Sequence, residues 1–292
     1  LLWVGLAGHF LGYNTVFMWA WKYREPILDL FEMITGNRNS YAMFRVGGVR
    51  RDIENSKIQT IQKILSECRK KNDLLTGAVM DDPVIHARTK GVGILTKQDV
   101  LDYCAVGPTA RASGVAIDIR KDDPYAAYPL VNWKVITAEA GDVFAKAEVR
   151  LLEMYESFSI IEQCLEGLKK EKEGDITVRI TEIPEGVGHG RAEAPRGEVF
   201  HFVVSDGSNS PARHKIRAPS YVNIATFRKS CIGQTIADAT ITLAAVDPCY
   251  CCTERMASVY DMSSGERIMN ANELINLVSS KTSELKKQMD RK

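Results

Sequence analysis

The sequence predicts an α+β protein that is predominantly helical, with a helical bundle core and a small antiparallel sheet. Between residues 1 and 168, long segments repeat their apolar residues at the helical period of about 3.6. After Gly174 the period shortens toward two, which is typical of β-strands. The 292 residues, 45% of them hydrophobic, are enough to bury a full core.

The order of the elements follows from these periods and from glycine and proline positions. Before Gly174, helices are predicted at residues 1–35, 53–71, 83–96, 98–106 and 142–168. The first is broken near Pro26, because proline removes a backbone donor, and ends at Gly36. Strands are then predicted at residues 176–180, 199–204 and 215–217, with residues 191–198 as a loop and residues 206–207 as a turn. Helices return at residues 221–231, 238–246 and 273–287.

Composition and charge exclude several functional classes. The formal net charge of +1 gives no reason to expect nucleic acid as a partner. Four cysteines stand alone in the sequence, which argues against a disulfide framework and for a reducing compartment. No segment has the pattern of a signal peptide and no apolar run reaches about 18 residues, so neither a signal peptide nor a membrane span is predicted from these residues. The chain begins at Leu1 inside an apolar run without a capping residue, and we therefore expect a fragment of a longer protein.

The most informative segment is Asp-Pro-Cys-Tyr-Cys-Cys-Thr at residues 247–253. Cys249 and Cys252 have the C-x-x-C spacing that lets two thiolates converge on one soft metal ion. They supply only half of a four-thiolate set, and on spacing alone a structural C-x-x-C or a zinc half-site is equally consistent with them. Cys251 would point away from such an ion and is expected to be a packed thiol. Lone histidines are more often packed or surface residues, but three offer candidate further ligands: His189, His201 and His214.

Two further segments place an arginine among small or rigid residues. Arg196 stands between Pro195 and Gly197, and such a fixed guanidinium could hold anionic ligands or a base, although a surface arginine has the same pattern. Residues 107–114 lack the Gly-Lys-Ser/Thr ending of a phosphate loop and follow a helix, so nucleotide binding is not predicted there. Tight packing, with Arg111 in an ion pair, is the better interpretation.

Seven segments, in their order along the chain, resemble one superfamily: residues 32–38, 47–52, 107–114, 193–198, 205–208, 215–220 and 247–252. This superfamily joins nickel-iron hydrogenase large subunits with the quinone-site subunit of respiratory complex I, and the resemblance implies their shared fold. The complex I branch has lost the cysteines, whereas this sequence keeps Cys249 and Cys252. The sequence therefore most resembles the energy-converting, membrane-bound hydrogenases of the formate hydrogenlyase and Ech types.

The resemblance implies a nickel ion, an iron ion with CO and cyanide ligands, and a magnesium ion. Cys249 would be a terminal nickel ligand, and Cys252 would bridge nickel and iron. Arg196 and Asp247 match the guanidinium and carboxylate groups that lie over the metal pair, and Arg196 would assist H2 cleavage or orient the cyanides. The family's other metal motif, Arg-x-Cys-Gly-x-Cys, and its proton-relay glutamate are absent from the sequence, so this chain alone is expected to be inactive.

In this branch a peptidase cuts after the arginine of Cys-Thr-x-Arg, which here implies processing between Arg255 and Met256. The chain would then divide into residues 1–255, which form the C-terminal part of the main domain of a hydrogenase large subunit, and a tail of residues 256–292. An ordinary C-terminal helix is the alternative for this tail. The implied partners are an iron–sulfur small subunit, membrane-arm subunits and the maturation peptidase.

The resemblance implies the reaction H2 ⇌ 2H+ + 2e−, performed in a peripheral position at the cytoplasmic face of the cell membrane. The alternative is a quinone-binding subunit of a complex I-like NADH:quinone oxidoreductase, a complex that binds NAD, without nickel. A third interpretation is a metal-free assembly subunit with vestigial cysteines.

Overall fold

Helices dominate the computed structural model, which describes residues 1–172, 174–253, 258–261 and 263–289. The chain forms two compact units, Leu1–Pro248 and Cys249–Lys292. The predicted fold class, mainly helical with small antiparallel sheets, is confirmed. No helix among the described residues is both long and apolar enough to cross a membrane.

The helices of the first unit are α1 Leu2–Phe10, α2 Asn14–Thr35, α3 Asn55–Met80, α4 Pro83–Thr89, α5 Lys97–Asp102, α6 Pro108–Arg111, α7 Ile119–Asp122, α8 Val143–Leu168, α9 Pro219–Asn223, α10 Phe227–Ser230 and α11 Ile236–Ala245. In the second unit, the described residues form α12 Tyr250–Thr253 and α13 Ala271–Met289.

The helical core of the first unit lies where α2 and α8 pack against α3, and α1 against α2 and α11. Its largest cluster includes Val16, Leu75, Leu151 and Ile241, each nearly inaccessible to solvent. Burying each of these aliphatic side chains contributes about 1.5–3 kcal/mol before the entropy of ordering is subtracted. Helix α8 therefore forms the central support on which the shorter segments rest.

The predicted break of the first helix at Pro26 is wrong. Helix α2 continues through Pro26, and the chain instead turns between α1 and α2, where Gly12 adopts a φ of +79°. Proline costs one backbone hydrogen bond, and the packing of α2 on both α1 and α3 outweighs this loss. The predicted end at Gly36 is confirmed, because its left-handed backbone, with a φ of +82°, caps α2.

A three-stranded antiparallel sheet in the order β3-β4-β5 lies in the second half of the first unit. Its strands are β3 Glu185–Ala194, β4 Gly197–Asp206 and β5 Arg213–Arg217. Four shorter strands form two further pairs: β1 Phe44–Arg45 with β2 Gly48–Val49, and β6 Val259–Tyr260 with β7 Arg267–Met269.

Two strand predictions need correction. Residues 176–180 form no strand: Thr177 makes an isolated bridge to Gly48, and the Val178 amide donates to the Gly47 carbonyl oxygen. Most of residues 191–198, predicted to be a loop, belong instead to β3 and β4. Strand β3 is rich in glycine and lacks apolar alternation, so the ten residue pairs that it forms with β4 could not be read from its own pattern.

Candidate functional site

Pro195 and Arg196 form the two-residue turn that joins β3 to β4, since Ala194 pairs directly with Gly197. Gly197 has a φ of +128°, and a Cβ atom on it would lie 2.6 Å from the Val106 Cγ2. Only glycine therefore lets the tip of this hairpin rest on the chain just before α6.

The segment under the hairpin tip is equally restricted. Gly107 has a φ of +69°, and a Cβ atom there would lie 2.4 Å from the Arg196 carbonyl oxygen. The fully buried Asn223 holds the two segments together. Its Oδ1 accepts from the Val106 amide over 2.9 Å, while its Nδ2 donates to the Val106 and Arg196 carbonyl oxygens over 3.1 and 3.3 Å.

The glycine contacts and the Asn223 hydrogen bonds place the Arg196 guanidinium beside Asp247. The Arg196 Nε donates to the Asp247 carbonyl oxygen over 2.6 Å, and its Nη2 donates to the Asp247 Oδ1 over 3.0 Å. Asp247 adopts a left-handed φ of +57° directly after the end of α11, a conformation that Asp tolerates better than most residues. Two predicted site residues, 51 positions apart in the sequence, thus form one charge-assisted, two-point contact.

Arg150 of α8 adds a second positive charge that sequence reasoning missed. Its side chain is largely buried: the Nη1 donates to the Lys146 carbonyl oxygen over 2.8 Å, and the guanidinium carbon lies 4.4 Å from the centre of the Trp3 ring. Burial lowers the pKa of Arg150 to about 10, and attraction to the Asp247 carboxylate partly opposes this shift. A lone arginine within an amphipathic helix gives no sequence signal of such a role.

The ion pair predicted for Arg111 is confirmed and is more extensive than expected. The Arg111 Nε donates to Glu153 of α8 over 2.6 Å, and its Nη1 donates to Glu193 of β3 over 2.9 Å. Asp118 lies 3.3 Å from the same Nη1. Burial raises the pKa of the Glu193 carboxyl group, and the Arg111 charge opposes that shift. The cluster fixes the flank of the hairpin to α6 and α8.

Within the second unit, Cys249 and Cys252 lie on one turn of chain. Their Sγ atoms are 3.1 Å apart, with the Cys252 thiol donating to the Cys249 sulfur. Two thiols that already converge fit the donor type and spacing that a soft metal ion requires. Among the residues that the structure describes, no three or more histidine, cysteine or acidic side chains converge as a metal-binding group, so the pair supplies two donors.

The remaining candidate residues have different outcomes. Cys251, expected to be packed, is exposed, because it stands on the short helix α12 between the converging thiols. His189 lies on β3, while His201 on β4 and His214 on β5 contact each other. The predicted processing site, Arg255 and Met256, lies outside the described residues.

The sequence matches the family described as the respiratory-chain NADH dehydrogenase 49 kDa subunit over residues 11–181 and 175–255. The chain belongs to this family. Among its relatives, an NADH-quinone oxidoreductase subunit of Herpetosiphon aurantiacus is 37% identical over 83% of this chain and 66% of the relative. The membrane-bound hydrogenase subunit alpha of Pyrococcus furiosus is 33% identical over 98% of this chain and 70% of the relative.

A solved structure of the membrane-bound sulfane sulfur reductase, an archaeal respiratory membrane complex, contains a similar fold. The match has a TM-score of 0.82 and 30% sequence identity, and covers 87% of this chain and 70% of the matched chain. This family member therefore spans about two thirds of the length of such relatives. The family includes both hydrogenase subunits and NADH-quinone oxidoreductase subunits, all parts of oxidoreductase complexes.

Proposed function

We propose that this chain is part of the catalytic large subunit of a nickel-iron hydrogenase, which interconverts H2 with protons and electrons in a membrane-associated complex. The observation that carries the proposal is the convergence of the Cys249 and Cys252 sulfur atoms, 3.1 Å apart. Nickel and iron in a redox centre favour soft, anionic sulfur donors, which a quinone-binding wall has no need to supply.

The proposed roles follow from the chemistry of the groups and their order in the sequence. Cys249 and Cys252 would hold a nickel and an iron ion together with further thiolates, and the bound metals would act as Lewis acids that polarise H2. The carboxylate of Asp247 is the proposed proton acceptor. Arg196 donates one hydrogen bond to this carboxylate and one to the Asp247 backbone carbonyl oxygen, and leaves part of its own guanidinium for anionic ligands.

The same proposal extends to the assembly. Seven cysteines are too few for both the metal pair and iron–sulfur clusters, so electrons would leave through an iron–sulfur partner subunit. Membrane-arm subunits would place the chain at the cytoplasmic face of the cell membrane. The proposal also includes removal of residues 256–292 by a maturation peptidase. It further includes a bound magnesium ion.

A second candidate function is that of a quinone-site subunit in a complex I-like oxidoreductase without nickel. The family description and the likeness to the Herpetosiphon aurantiacus protein favour it. In this case the thiol pair would hold no metal ion, and the chain would only form one wall of the quinone-binding site.

The nickel content of the purified full-length complex distinguishes these candidates. Under the hydrogenase proposal, Cys249→Ser and Cys252→Ser abolish both the nickel that is retained after dialysis and H2-dependent dye reduction, because each removes a soft donor. Cys251→Ser is the matched control, since this neighbouring thiol is exposed, and it should retain both properties. A nickel-free wild-type complex whose quinone reduction survives Cys249→Ser would instead support the second candidate.

A further inference from the structure

His201 on the central strand β4 and His214 on the edge strand β5 form an unusual pair on the sheet. The His201 Nδ1 lies 2.9 Å from the His214 Nε2, and the centres of the two rings are 5.1 Å apart. His214 is exposed and His201 is partly exposed, so solvent reaches the pair. The activity proposed for the thiol pair uses neither histidine.

At 2.9 Å the two ring nitrogens share a hydrogen bond, so one ring donates its N–H to the other, and a bound ion would take the place of the shared proton. A ring nitrogen binds a late first-row ion at about 2.0–2.1 Å, so two nitrogens in neighbouring positions at right angles lie about 2.9 Å apart. A tetrahedral ion would need them about 3.4 Å apart. Small rotations of the two rings reach either spacing, so the preference among ions rests on the imidazole donors, for which Cu²⁺ stands above Ni²⁺ and Zn²⁺ in the affinity order of divalent ions.

The sheet holds the two rings on one face. His201 pairs with Ile216, and His214 pairs with Val203, so both histidines share the face that also carries these two apolar residues. Because β4 pairs with strands on both sides and β5 pairs with β4, the backbone beneath the two rings is held in place and need not be reorganised on binding.

The surroundings leave room for the rest of a coordination shell. On the neighbouring strand, Gly190 lies opposite His201 and Gly188 lies opposite Val203. A Cβ atom on either glycine would meet no other atom within 4 Å, so water molecules can reach an ion bound there. The basic residues of these strands alternate onto the opposite face and do not oppose a bound cation: Arg191, Arg213, Lys215 and Arg217.

We propose that His201 and His214 form a two-histidine binding site for one divalent ion of the Ni²⁺ or Cu²⁺ type, with water completing the coordination. The site is separate from the cysteines and does not depend on the function proposed for them. A bis-imidazole site of this kind binds an exchangeable ion, in contrast to the thiolate donors of a redox centre.

Equilibrium dialysis of the purified full-length protein against Ni²⁺ tests the proposal. The variants His201→Ala and His214→Ala should each lose one bound ion per chain. His189→Ala is the matched control, because this histidine lies on the same sheet but alternates onto the other face. A Cys249→Ser, Cys252→Ser double variant should keep the histidine-dependent ion, whatever happens to the proposed hydrogenase function.

The proposal is overturned if either histidine variant binds as many ions as the wild type, or if His189→Ala loses an ion as well. A second measurement needs no variant. The Cu²⁺-loaded wild type should show electron paramagnetic resonance structure from two nitrogen donors, and a spectrum without nitrogen donors would contradict the site. Zn²⁺ should compete with Ni²⁺ less well than Cu²⁺ does, because Cu²⁺ stands highest in the affinity order of divalent ions for nitrogen donors.

Discussion

At the scale of single residues, the buried side-chain amide of Asn223 holds the backbone of Arg196 and so positions the Arg196 guanidinium. Asn223 is inaccessible to solvent and uses its amide group to bond Val106 on one segment and Arg196 on another. A buried amide donor or acceptor without a partner costs about 1–3 kcal/mol, so these bonds are obligatory for the local fold. Arg196 reaches Asp247 because its own backbone is held in this way.

Asn223→Ala should lower the free energy of unfolding by about 2–3 kcal/mol, because it leaves the Val106 amide and carbonyl groups buried without partners. Urea denaturation of the variant and the wild type measures this difference. Asn209→Ala is the matched control, since Asn209 is exposed, and should change stability by less than about 0.5 kcal/mol. Equal effects of the two substitutions would show that the Asn223 bonds do not support the hairpin tip.

At the scale of elements, the β3–β4 hairpin is anchored at its tip and along its flank, β4 is partly buried, and the far end of β3 is exposed. Its tip contacts the segment before α6 through Gly107 and Gly197, and its flank is bonded to Arg111 through Glu193. The remainder of β3, toward Glu185, is open to solvent. Arg196 therefore lies at the anchored end of the hairpin.

Gly107→Ala should destabilise the first unit by about 3 kcal/mol or more, because a φ of +69° is strained for alanine and its Cβ atom would overlap the Arg196 carbonyl oxygen. Thermal and urea unfolding of the purified variant measure the loss. Gly188→Ala on the same hairpin is the control: its Cβ atom meets nothing within 4 Å, so a change of less than about 0.5 kcal/mol is expected. A mild effect at Gly107 would mean that the hairpin tip can move away at little cost.

At the scale of the whole molecule, Lys146 links the central helix α8 to two loops. Its buried ammonium donates to the Gly93 carbonyl oxygen over 3.0 Å and to the Gly141 carbonyl oxygen over 2.9 Å. Burial lowers the pKa of Lys146 to about 7, and the nearby Arg150 charge lowers it further. The folded chain thus holds this proton less tightly than the unfolded chain, whose lysine has an ordinary pKa of 10.5.

This difference predicts how stability depends on pH. Between about pH 7 and pH 10.5 the unfolded chain binds one more proton at this position, so the contribution of Lys146 to the free energy of unfolding rises with pH. The full rise is at most about 5 kcal/mol. Below pH 7 the cost of the buried charge is fully present.

Lys146→Met removes this group while keeping a similar volume, so the variant should lack the part of the pH slope that Lys146 contributes. Urea denaturation of both proteins between pH 6.5 and pH 10 measures the difference in slope, and other titrating groups cancel in the comparison. Parallel stability curves for the two proteins would show that Lys146 does not change protonation on unfolding.

The sequence predicted most of the helices, but not all of their limits. The apolar period placed α8 well, and Gly36 correctly predicted the end of α2, because these signals act within a few residues. Pro26 misled the prediction, since a local cost was outweighed by packing against two other helices. Strand β3 was missed because pairing with β4, rather than its own composition, makes it a strand.

Among the site residues, the sequence by itself determined which chemical groups are present: two thiols at C-x-x-C spacing, a guanidinium between proline and glycine, and an aspartate before a proline. Only the tertiary structure decided that Arg196 bonds Asp247, that Asn223 and Arg111 support the hairpin, and that Arg150 lies largely buried on α8. The physical reason is distance along the chain. Spacing and periodicity report interactions between near neighbours, whereas these contacts join residues that only the packing of the helices and the sheet brings together.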